Sequence, residues 1–375
     1  MAGLYIHIPY CKTRCIYCDF YKETDESTME RFTKSLCLEF ILRKDEADEP
    51  IKTIYFGGGT PTRLHATHFE DIFSHIYSNY NVLPDAEITI EANPDDLNDE
   101  YITLIKQLPV NRISIGIQSF DDKELKFLSR RHSAQEAIDA VKRCQQNGFD
   151  NISIDLIYGL PNQTLSVWES NIQKAINLGI QHISAYHLIY EENTKLYTLL
   201  ERGRVTPVAD DISIEMFSML ISKLKDSGFE QYEISNFAKN GQYSKHNTSY
   251  WLDHEYIGFG PSAHSYNGEK RSWNASSIGK YMLAIENNEL LQESEVLSEY
   301  EKYNEFILTK LRMMRGMNLN DLRSHFGDKL YNYCMQIAIK YIDEQLLIVE
   351  GDMLRLTQKG IFISDGIMSS LMWID

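Results

Sequence analysis

Three cysteines near the start of the sequence are the residues whose type and spacing point most directly to chemistry. Cys11, Cys15 and Cys18 lie in the segment CKTRCIYC with a C-x3-C-x2-C spacing. Thiolates are soft ligands for zinc or for an iron–sulfur cluster, and both usually take four protein ligands. The sequence has no second CxxC pair, and His7 is the nearby residue that could complete a zinc site. The spacing favours an iron–sulfur cluster over zinc, with one iron left open for a small molecule.

Further residues suited to ligand binding follow short apolar runs. Gly57–Gly59 follow TIYF, and Glu91 lies at the end of EITIEA. Gln118, Arg130 and Asp155 add an amide, a guanidinium group and a second carboxylate. Glycines allow a backbone to approach a ligand closely, although this triplet is neither a P-loop nor a dinucleotide fingerprint. Each residue alone fits a turn, a helix cap or an ion pair equally well, but together they predict a pocket for a zwitterionic, nucleoside-like ligand.

The elements that must position these residues alternate along the first part of the chain. Short β-branched runs occupy residues 4–8, 53–59, 87–92, 112–119, 151–159 and 182–188. Segments with helical periodicity lie between them, which is typical of βα units and a parallel sheet. Six units predict an α/β fold with a partial (β/α)6, TIM-like barrel, and a doubly wound sheet is the alternative. In either fold the ligand site lies at the carboxyl ends of the strands, where the polar residues fall.

The remaining sequence predicts two further regions. We expect the barrel to occupy residues 1–235, with residues 230–238 forming one more strand, and an irregular connecting region to occupy 236–298. Residues 299–375 predict helices followed by a hairpin, a smaller helical and winged-helix-like domain. This last segment carries nine Lys or Arg against eleven Asp or Glu. A DNA-binding domain would need a basic face, so a packing or lid module is the better interpretation.

Composition limits the partners and the compartment. The net charge of −17 argues against a nucleic-acid or anionic membrane surface, because phosphates would be repelled. No apolar run reaches the length of a membrane span, and no signal peptide is visible. Cys37, Cys144 and Cys334 stand alone and are expected to be small buried hydrophobic residues. Sparse cysteines with reduced thiols favour the cytoplasm.

The motifs together resemble a known family. CKTRCIYC with YFGGGTPT, EANP and SIDLIYGLPNQT is similar to the radical S-adenosylmethionine (SAM) superfamily, over nearly the whole chain. The resemblance is closest to the branch that holds oxygen-independent coproporphyrinogen III dehydrogenase and the HemW heme chaperones. It implies that Cys11, Cys15 and Cys18 hold a [4Fe-4S] cluster whose fourth iron binds the amino and carboxylate groups of SAM. In such proteins the cluster reduces SAM to methionine and a 5'-deoxyadenosyl radical.

The same resemblance assigns the residues that would bind SAM. Tyr17 would pack the adenine, and the glycine turn would meet the methionyl amino group. The full set of matched positions is Tyr5, Tyr17, Gly58, Gly59, Thr60, Glu91, Gln118, Arg130 and Asp155. In the dehydrogenase some of these contacts go to a second SAM, and the number bound here is left open.

Three features favour the chaperone side of that branch. Phe20 stands where the dehydrogenase has a further cysteine, and its N-terminal extension has no counterpart before Tyr5. HNTSYW, from His246 to Trp251, matches the HNxxYW motif that the resemblance links to heme binding. His246 and Tyr250 are therefore the candidate heme residues. The alternative is that these residues only pack a domain junction.

The expected function is that of a heme chaperone. Heme would be the cargo, delivered to respiratory hemoproteins, with the cluster and SAM regulating or enabling transfer. The main alternative is oxidative decarboxylation of coproporphyrinogen III propionates, and a different radical reaction such as methyl transfer is a third. No catalytic residue is assigned, and whether the chain is an enzyme at all stays open. Peripheral docking at a membrane complex and a homodimer are also left open.

Overall fold

Six parallel strands form the centre of the molecule. The structure is a computed structural model and describes residues 2–374. The strands are β1 (Ala2–Ile8), β2 (Ile51–Gly58), β3 (Val82–Ala92), β4 (Arg112–Gln118), β5 (Ile152–Tyr158) and β6 (His182–His187). Each pairs in parallel with the next along the chain. The predicted partial (β/α)6 barrel with a smaller C-terminal helical domain is confirmed.

Helices cover the outer face of this sheet. They are α1 (Met29–Leu42), α2 (Ala66–Asn79), α3 (Asp99–Gln107), α4 (Asp122–Phe127), α5 (Ala134–Gln146), α6 (Leu165–Asn177), α7 (Lys195–Glu201) and α8 (Asp210–Asp226). Helix α5 shows how the sequence sets their ends. Ser133 and Glu136 form a capping box at its start, and Gly148 takes a φ of 85° just after its end. Its buried face includes Val141 and Cys144, so this cysteine is a core residue as expected.

The region after the barrel extends the sheet. It contains β7 (Glu230–Gln231), β8 (Asn236–Ala238), α9 (Lys245–Trp251), β9 (Tyr256–Phe259), β10 (His264–Tyr266), β11 (Lys270–Asn274), α10 (Ile278–Glu286) and β12 (Gln292–Val296). The single strand expected over 230–238 is wrong, because the chain reverses near Glu233 and β7 and β8 pair antiparallel. The Glu233 carboxylate accepts hydrogen bonds from the Ser235 backbone and the Asn236 side chain, which closes this turn.

These added strands keep the barrel open. Strand β9 pairs in parallel with β1, and β8 pairs with β6, so both edges of the six-stranded unit are covered. The region expected to be irregular over 236–298 therefore supplies four strands to one side of the sheet, in the order β12, β11, β10, β9 and then β1. Helix α9 lies against β2.

The C-terminal part has the expected winged-helix-like arrangement. It comprises α11 (Glu299–Arg312), β13 (Met317–Asn318), α12 (Leu319–Asp343), β14 (Leu347–Glu350), β15 (Met353–Leu356), α13 (Gln358–Ile361) and α14 (Ser364–Leu371). Helix α12 is broken at Gly327, where φ is 71°. Its two halves correspond to two successive helical segments of the sequence prediction. The Lys310 ammonium group of α11 donates to the Trp251 carbonyl oxygen, and the Arg312 guanidinium group lies 4.6 Å from the Trp251 ring centroid. Among residues 2–374 no helix combines the length and apolar character that a membrane crossing requires.

Candidate functional site at the carboxyl ends of the strands

A cavity of about 510 Å³ opens where the parallel strands end. It brings together residues from the cysteine loop and from the ends of β2 to β6. The predicted site residues that line it are Cys11, Cys15, Cys18, Tyr17, Gly59, Thr60, Glu91, Gln118, Arg130 and Asp155. Residues separated by more than a hundred positions in sequence thus share one wall because parallel strands end at one edge. Tyr5, Gly58, His246 and Tyr250 are not among its lining residues.

The three cysteines are carried by a loop that backbone contacts shape. The Cys11 N–H donates to the Glu23 carbonyl oxygen at 2.8 Å, and the Lys22 ammonium group donates to the Cys18 carbonyl oxygen at 2.6 Å. All three are free thiols. Within residues 2–374 no three His, Cys, Asp or Glu side chains are gathered around a point where one metal ion could sit. A cluster attaches each thiolate to a different iron, whereas a zinc ion brings its ligands to a single point.

A chain of hydrogen bonds joins two of these sulfurs through the barrel. Cys11 Sγ lies 3.4 Å from Thr60 Oγ1, and Thr60 Oγ1 accepts from the Asn93 amide at 3.1 Å. The Arg130 guanidinium group donates to Asn93 Oδ1 at 2.5 Å and to Cys15 Sγ at 3.4 Å. Asn93 is therefore a site residue that the sequence analysis missed. Its position in EANP, directly after the end of β3, was the available signal.

Two half-buried carboxylates form the floor of the cavity. Burial raises the pKa of Glu91 to about 7, although the Tyr55 hydroxyl donates to Glu91 Oε1 at 2.7 Å. Burial likewise raises the pKa of Asp155 to about 6, against a hydrogen bond from Ser184. The Gly58 backbone N–H also donates to Glu91. Such a floor favours a ligand that brings its own positive charge, because that charge would restore both carboxylates to the ionised form.

The glycine triplet is required by the protein's own packing. A Cβ at Gly58 would lie 2.5 Å from the His7 ring, and φ there is +99°. A Cβ at Gly59 would lie 2.7 Å from the Ile8 carbonyl oxygen. The His7 ring is fixed from both sides, by the Tyr5 hydroxyl at 3.2 Å and the Tyr21 carbonyl oxygen at 3.0 Å. His7 is thus engaged away from the cysteines and does not complete a zinc site with them.

An aromatic layer lies beneath the cavity floor. The Tyr5 ring stacks with the Tyr55 ring at a centroid distance of 6.3 Å, and Tyr55 in turn stacks with His246 at 5.1 Å. Tyr55 lines the cavity, whereas Tyr5 lies behind it. The structure therefore brings Tyr5 to the ligand site only through Tyr55 and His7.

His246 occupies the interior of the barrel. Only 1% of its surface is exposed. Its Nδ1 lies 2.8 Å from Thr53 Oγ1, and its Nε2 lies 2.8 Å from the Tyr250 hydroxyl. Burial lowers the pKa of His246 to about 3, so the ring is neutral. This environment fits the packing interpretation of HNxxYW, in which the motif holds α9 against β2. Only Asn247, the next residue, reaches the cavity wall.

Arg112 is a second site residue that the sequence analysis missed. It begins β4 inside the barrel, with 1% of its surface exposed. Its Nε and Nη1 atoms have no hydrogen-bond partner among the described residues. Its positive charge lowers the pKa values of Glu91 and Asp155, opposing the effect of burial. A buried guanidinium group beside two half-buried carboxylates thus offsets part of their negative charge. A lone Arg at a strand start gave no signal of this in sequence.

Comparison with known proteins places these features in a family. Residues 5–175 match the Radical SAM superfamily, and residues 297–363 match the HemN C-terminal domain. The chain is 33% identical to the heme chaperone HemW of Bacillus subtilis (strain 168), over 99% of each protein. It is also 33% identical to the heme chaperone HemW of Lactococcus lactis subsp. lactis (strain IL1403), over 99% of this chain and 97% of that one.

A solved structure has the same architecture. Coproporphyrinogen III oxidase (HemN) from Escherichia coli, described as a radical SAM enzyme, aligns with a TM-score of 0.85. The alignment covers 99% of this chain and 89% of that chain at 19% sequence identity. At this identity the likeness establishes the fold, and function has to be argued from the site.

Proposed function

Because the chain belongs to the HemW family of radical SAM proteins, we propose that it binds heme and delivers it to respiratory hemoproteins. A [4Fe-4S] cluster and SAM would occupy the cavity at the carboxyl ends of the strands. The observation that carries the proposal is the similarity to heme chaperones along 99% of the chain. The cysteine loop and the paired carboxylates at one cavity support the cofactor part of it.

Cys11, Cys15 and Cys18 would hold the cluster. When bound, such a cluster supplies an electron to SAM through its open iron. The protein's contribution is to stabilise the thiolates and shield them. The Arg130 guanidinium group points a donor at Cys15 Sγ, and Thr60 Oγ1 lies beside Cys11 Sγ. Charge-assisted hydrogen bonds of this kind favour the anionic sulfur over the thiol.

The other residues around the cavity would bind SAM. Glu91 and Asp155 would face its cationic groups, and Gln118 would contribute an amide at the end of β4. Tyr17, on the cysteine loop, would pack against the adenine. Gly59 and Thr60 would meet the methionyl group, while Gly58 and Tyr5 would support this wall from behind. The two half-buried carboxylates support this assignment, because SAM carries a sulfonium and an ammonium group.

His246 and Tyr250 enter the proposal in a limited form. In the structure both ring nitrogens of His246 are hydrogen-bonded. Coordination of a heme iron by His246 would therefore require α9 to leave the barrel and both hydrogen bonds to break. Heme binding at this motif would consequently be coupled to opening of α9.

The compartment and partners follow from the same chemistry. Cluster binding needs reduced thiols, and all six cysteines are free in the structure. We therefore assign the protein to the cytoplasm, where thiols stay reduced. Its partners would be heme and a heme-accepting respiratory protein. Because the overall charge is −17, docking of the chain at an acidic surface would be confined to a small patch.

One anaerobic experiment tests the proposal. The protein is reconstituted with iron and sulfide, loaded with heme, and mixed with an apo-form of a heme-dependent respiratory protein. We expect heme to move to the acceptor, as seen by recovery of the acceptor's absorption and activity. In parallel, the reconstituted protein is incubated with SAM, a reductant and coproporphyrinogen III. Formation of protoporphyrinogen IX without heme transfer would replace the chaperone proposal with the dehydrogenase alternative.

A further inference from the structure

Three side chains from different parts of the barrel connect the sulfur of Cys11 to that of Cys15. Thr60 follows β2 and lies 3.4 Å from Cys11 Sγ, measured from its Oγ1 atom. Asn93 follows β3, and its Nδ2 atom lies 3.1 Å from the same Thr60 oxygen. Arg130 follows α4 and contacts both Asn93 Oδ1, at 2.5 Å, and Cys15 Sγ, at 3.4 Å. Each of these four contacts is within hydrogen-bonding distance, so the connection is continuous.

The direction of every hydrogen bond in this connection is determined at its Arg130 end. A guanidinium group has N–H donors and no acceptor. Asn93 therefore presents Oδ1 to Arg130, which leaves its Nδ2 atom facing Thr60. Since Nδ2 can only donate, Thr60 Oγ1 accepts from it and keeps its own proton for another partner. That partner is Cys11 Sγ, on the other side of the same hydroxyl group.

The surroundings of these side chains keep them in place. Thr60 is 4% exposed, so water has little access to its hydroxyl group. The Asn93 carbonyl oxygen accepts from the Asp96 N–H at 3.1 Å, which fixes the backbone directly after β3. The Arg130 guanidinium group also donates to the Gly116 carbonyl oxygen of β4. Linked hydrogen bonds polarise one another where water is scarce, so the Arg130 charge acts beyond its direct contacts.

We propose that Asn93 is a positioning residue for the iron–sulfur cluster and that it aims the Thr60 hydroxyl proton at Cys11 Sγ. The inference rests on the proposed function, in which Cys11 and Cys15 hold the cluster. A cysteine sulfur bound to iron carries no proton, so it only accepts hydrogen bonds. One guanidinium group thereby supports two ligands, Cys15 directly and Cys11 through two intervening side chains. Hydrogen bonds to the ligating sulfurs favour the reduced, more negative cluster.

The proposed role requires an amide at position 93, because one end of the side chain must accept and the other must donate. Asn93→Asp keeps the shape of the side chain but replaces the Nδ2 donor by an acceptor oxygen. The Thr60 hydroxyl group would then donate to residue 93, and Cys11 Sγ would lose its hydrogen bond. The contact between Arg130 and Cys15 does not involve the exchanged atom. The substitution therefore removes the support of one sulfur selectively.

The test is an anaerobic redox titration of the cluster-reconstituted full chain without SAM, followed by EPR. For Asn93→Asp we expect the ratio of reduced to oxidised cluster at a fixed potential to fall about tenfold, which is about 59 mV for one electron. The matched control is Asn247→Asp, which adds the same charge to the wall of the same cavity. We expect a decrease of less than about twofold in this control. Thr60→Val removes the hydroxyl group without adding charge and should lower the ratio about threefold.

Two further measurements separate this role from a purely structural one. Thr60→Val and Asn93→Asp remove the same hydrogen bond, so the double variant should shift the ratio by less than the two single variants combined. In deuterated water, ENDOR spectra of the reduced wild-type cluster should show an exchangeable deuteron from the Thr60 hydroxyl group. This signal should be lost from both variants and kept in Asn247→Asp.

The proposal is overturned if Asn93→Asp shifts the ratio no more than Asn247→Asp, or if the deuteron signal is unchanged in Thr60→Val. Should Asn93→Asp fail to hold a cluster, the redox ratio and the deuteron signal of Thr60→Val decide the question. A wild-type protein that takes up no iron and sulfide would overturn the cluster part of the proposed function. Wild-type cluster content with unchanged redox ratios in all variants would overturn this inference alone.

Discussion

The Arg130 guanidinium group lies 3.4 Å from Cys15 Sγ and 2.5 Å from Asn93 Oδ1. It therefore connects the cysteine loop to the end of β3 with a half-buried positive charge. A hydrogen bond to a cluster sulfur stabilises the reduced, more negative cluster more than the oxidised one. Arg130 is thus positioned to set the redox potential of a bound cluster as well as to hold the loop in place.

Replacing this guanidinium group should lower the cluster's reduction potential. We expect Arg130→Met to make the midpoint potential more negative by about 50 mV, because the hydrogen bond to Cys15 Sγ is removed. Anaerobic redox titration followed by EPR measures the change. Arg131→Met is the matched control, because Arg131 lies in the same cavity but pairs with Asp95 at 2.8 Å. Equal shifts in the two variants would show that only the general positive charge matters.

The affinity for SAM should depend on pH through Glu91. Its pKa is raised to about 7 by burial, so the carboxyl group holds a proton below neutrality. A cationic ligand needs the ionised form, so SAM should bind more tightly as the pH rises from about 6 to about 7.5. Below this pKa, each decrease of one pH unit should raise the dissociation constant of SAM by up to about tenfold. Calorimetric titration at several pH values measures this change in affinity. Glu91→Gln should bind SAM weakly and should lack the part of the pH dependence that comes from residue 91.

The same carboxyl group should make the ligand-free protein less stable at high pH. Its folded-state pKa lies above the unfolded value, so the folded state binds more protons and unfolding becomes easier as pH rises through 4.5 to 7. Above pH 7 the contribution amounts to roughly 3 kcal/mol. We expect Glu91→Gln without ligand to unfold at a higher temperature than wild type at about pH 8 and to lose this advantage at about pH 5. Thermal unfolding at the two pH values provides the measurement.

How far the sequence predicts this molecule depends on which contacts are local. The six parallel strands follow from β-branched runs separated by helical segments, and the cysteine loop from its spacing. Strands β11 and β12 read KRSWN and QESEV, which carry little apolar alternation, and they form because β10 and β9 offer an edge beside β1. The sequence of β11 and β12 does not reveal that such a pairing edge exists, so the pattern predicts an irregular region.

Within the site, sequence pattern carries little information where a role depends on depth in the barrel. Tyr5 and Tyr55 are both inward-facing tyrosines of neighbouring, paired strands, yet only Tyr55 reaches the cavity. His246 has the chemistry of a ligand but fills the barrel interior, because α9 packs against β2 and brings His246 Nδ1 to Thr53 Oγ1. Arg112 looks like a surface residue in sequence. Its burial follows from its position on the inner face of β4, which exists only once the sheet is assembled.

The buried charge of Arg112 should control the pH range of SAM binding. It lowers the pKa values of Glu91 and Asp155, so its removal should raise both. We expect Arg112→Met to move the pH dependence of SAM affinity upward by about one pH unit. Arg112→Lys keeps the charge and should leave the profile close to wild type. An Arg112→Met protein that folds, as judged by circular dichroism, but keeps the wild-type pH profile would contradict this role.

The packing interpretation of His246 predicts a loss of stability without a change in heme ligation. His246→Ala removes hydrogen bonds to Thr53 and Tyr250 and leaves a cavity beside the Tyr55 ring. We expect the free energy of unfolding to fall by about 2–4 kcal/mol, from poorer packing and unpaired hydroxyl groups. Tyr250→Phe removes only one of these hydrogen bonds and should cost about 1 kcal/mol. Denaturant unfolding measures both changes. A His246→Ala protein as stable as wild type but unable to bind heme would instead make this histidine a ligand, and α9 a helix that opens to expose it.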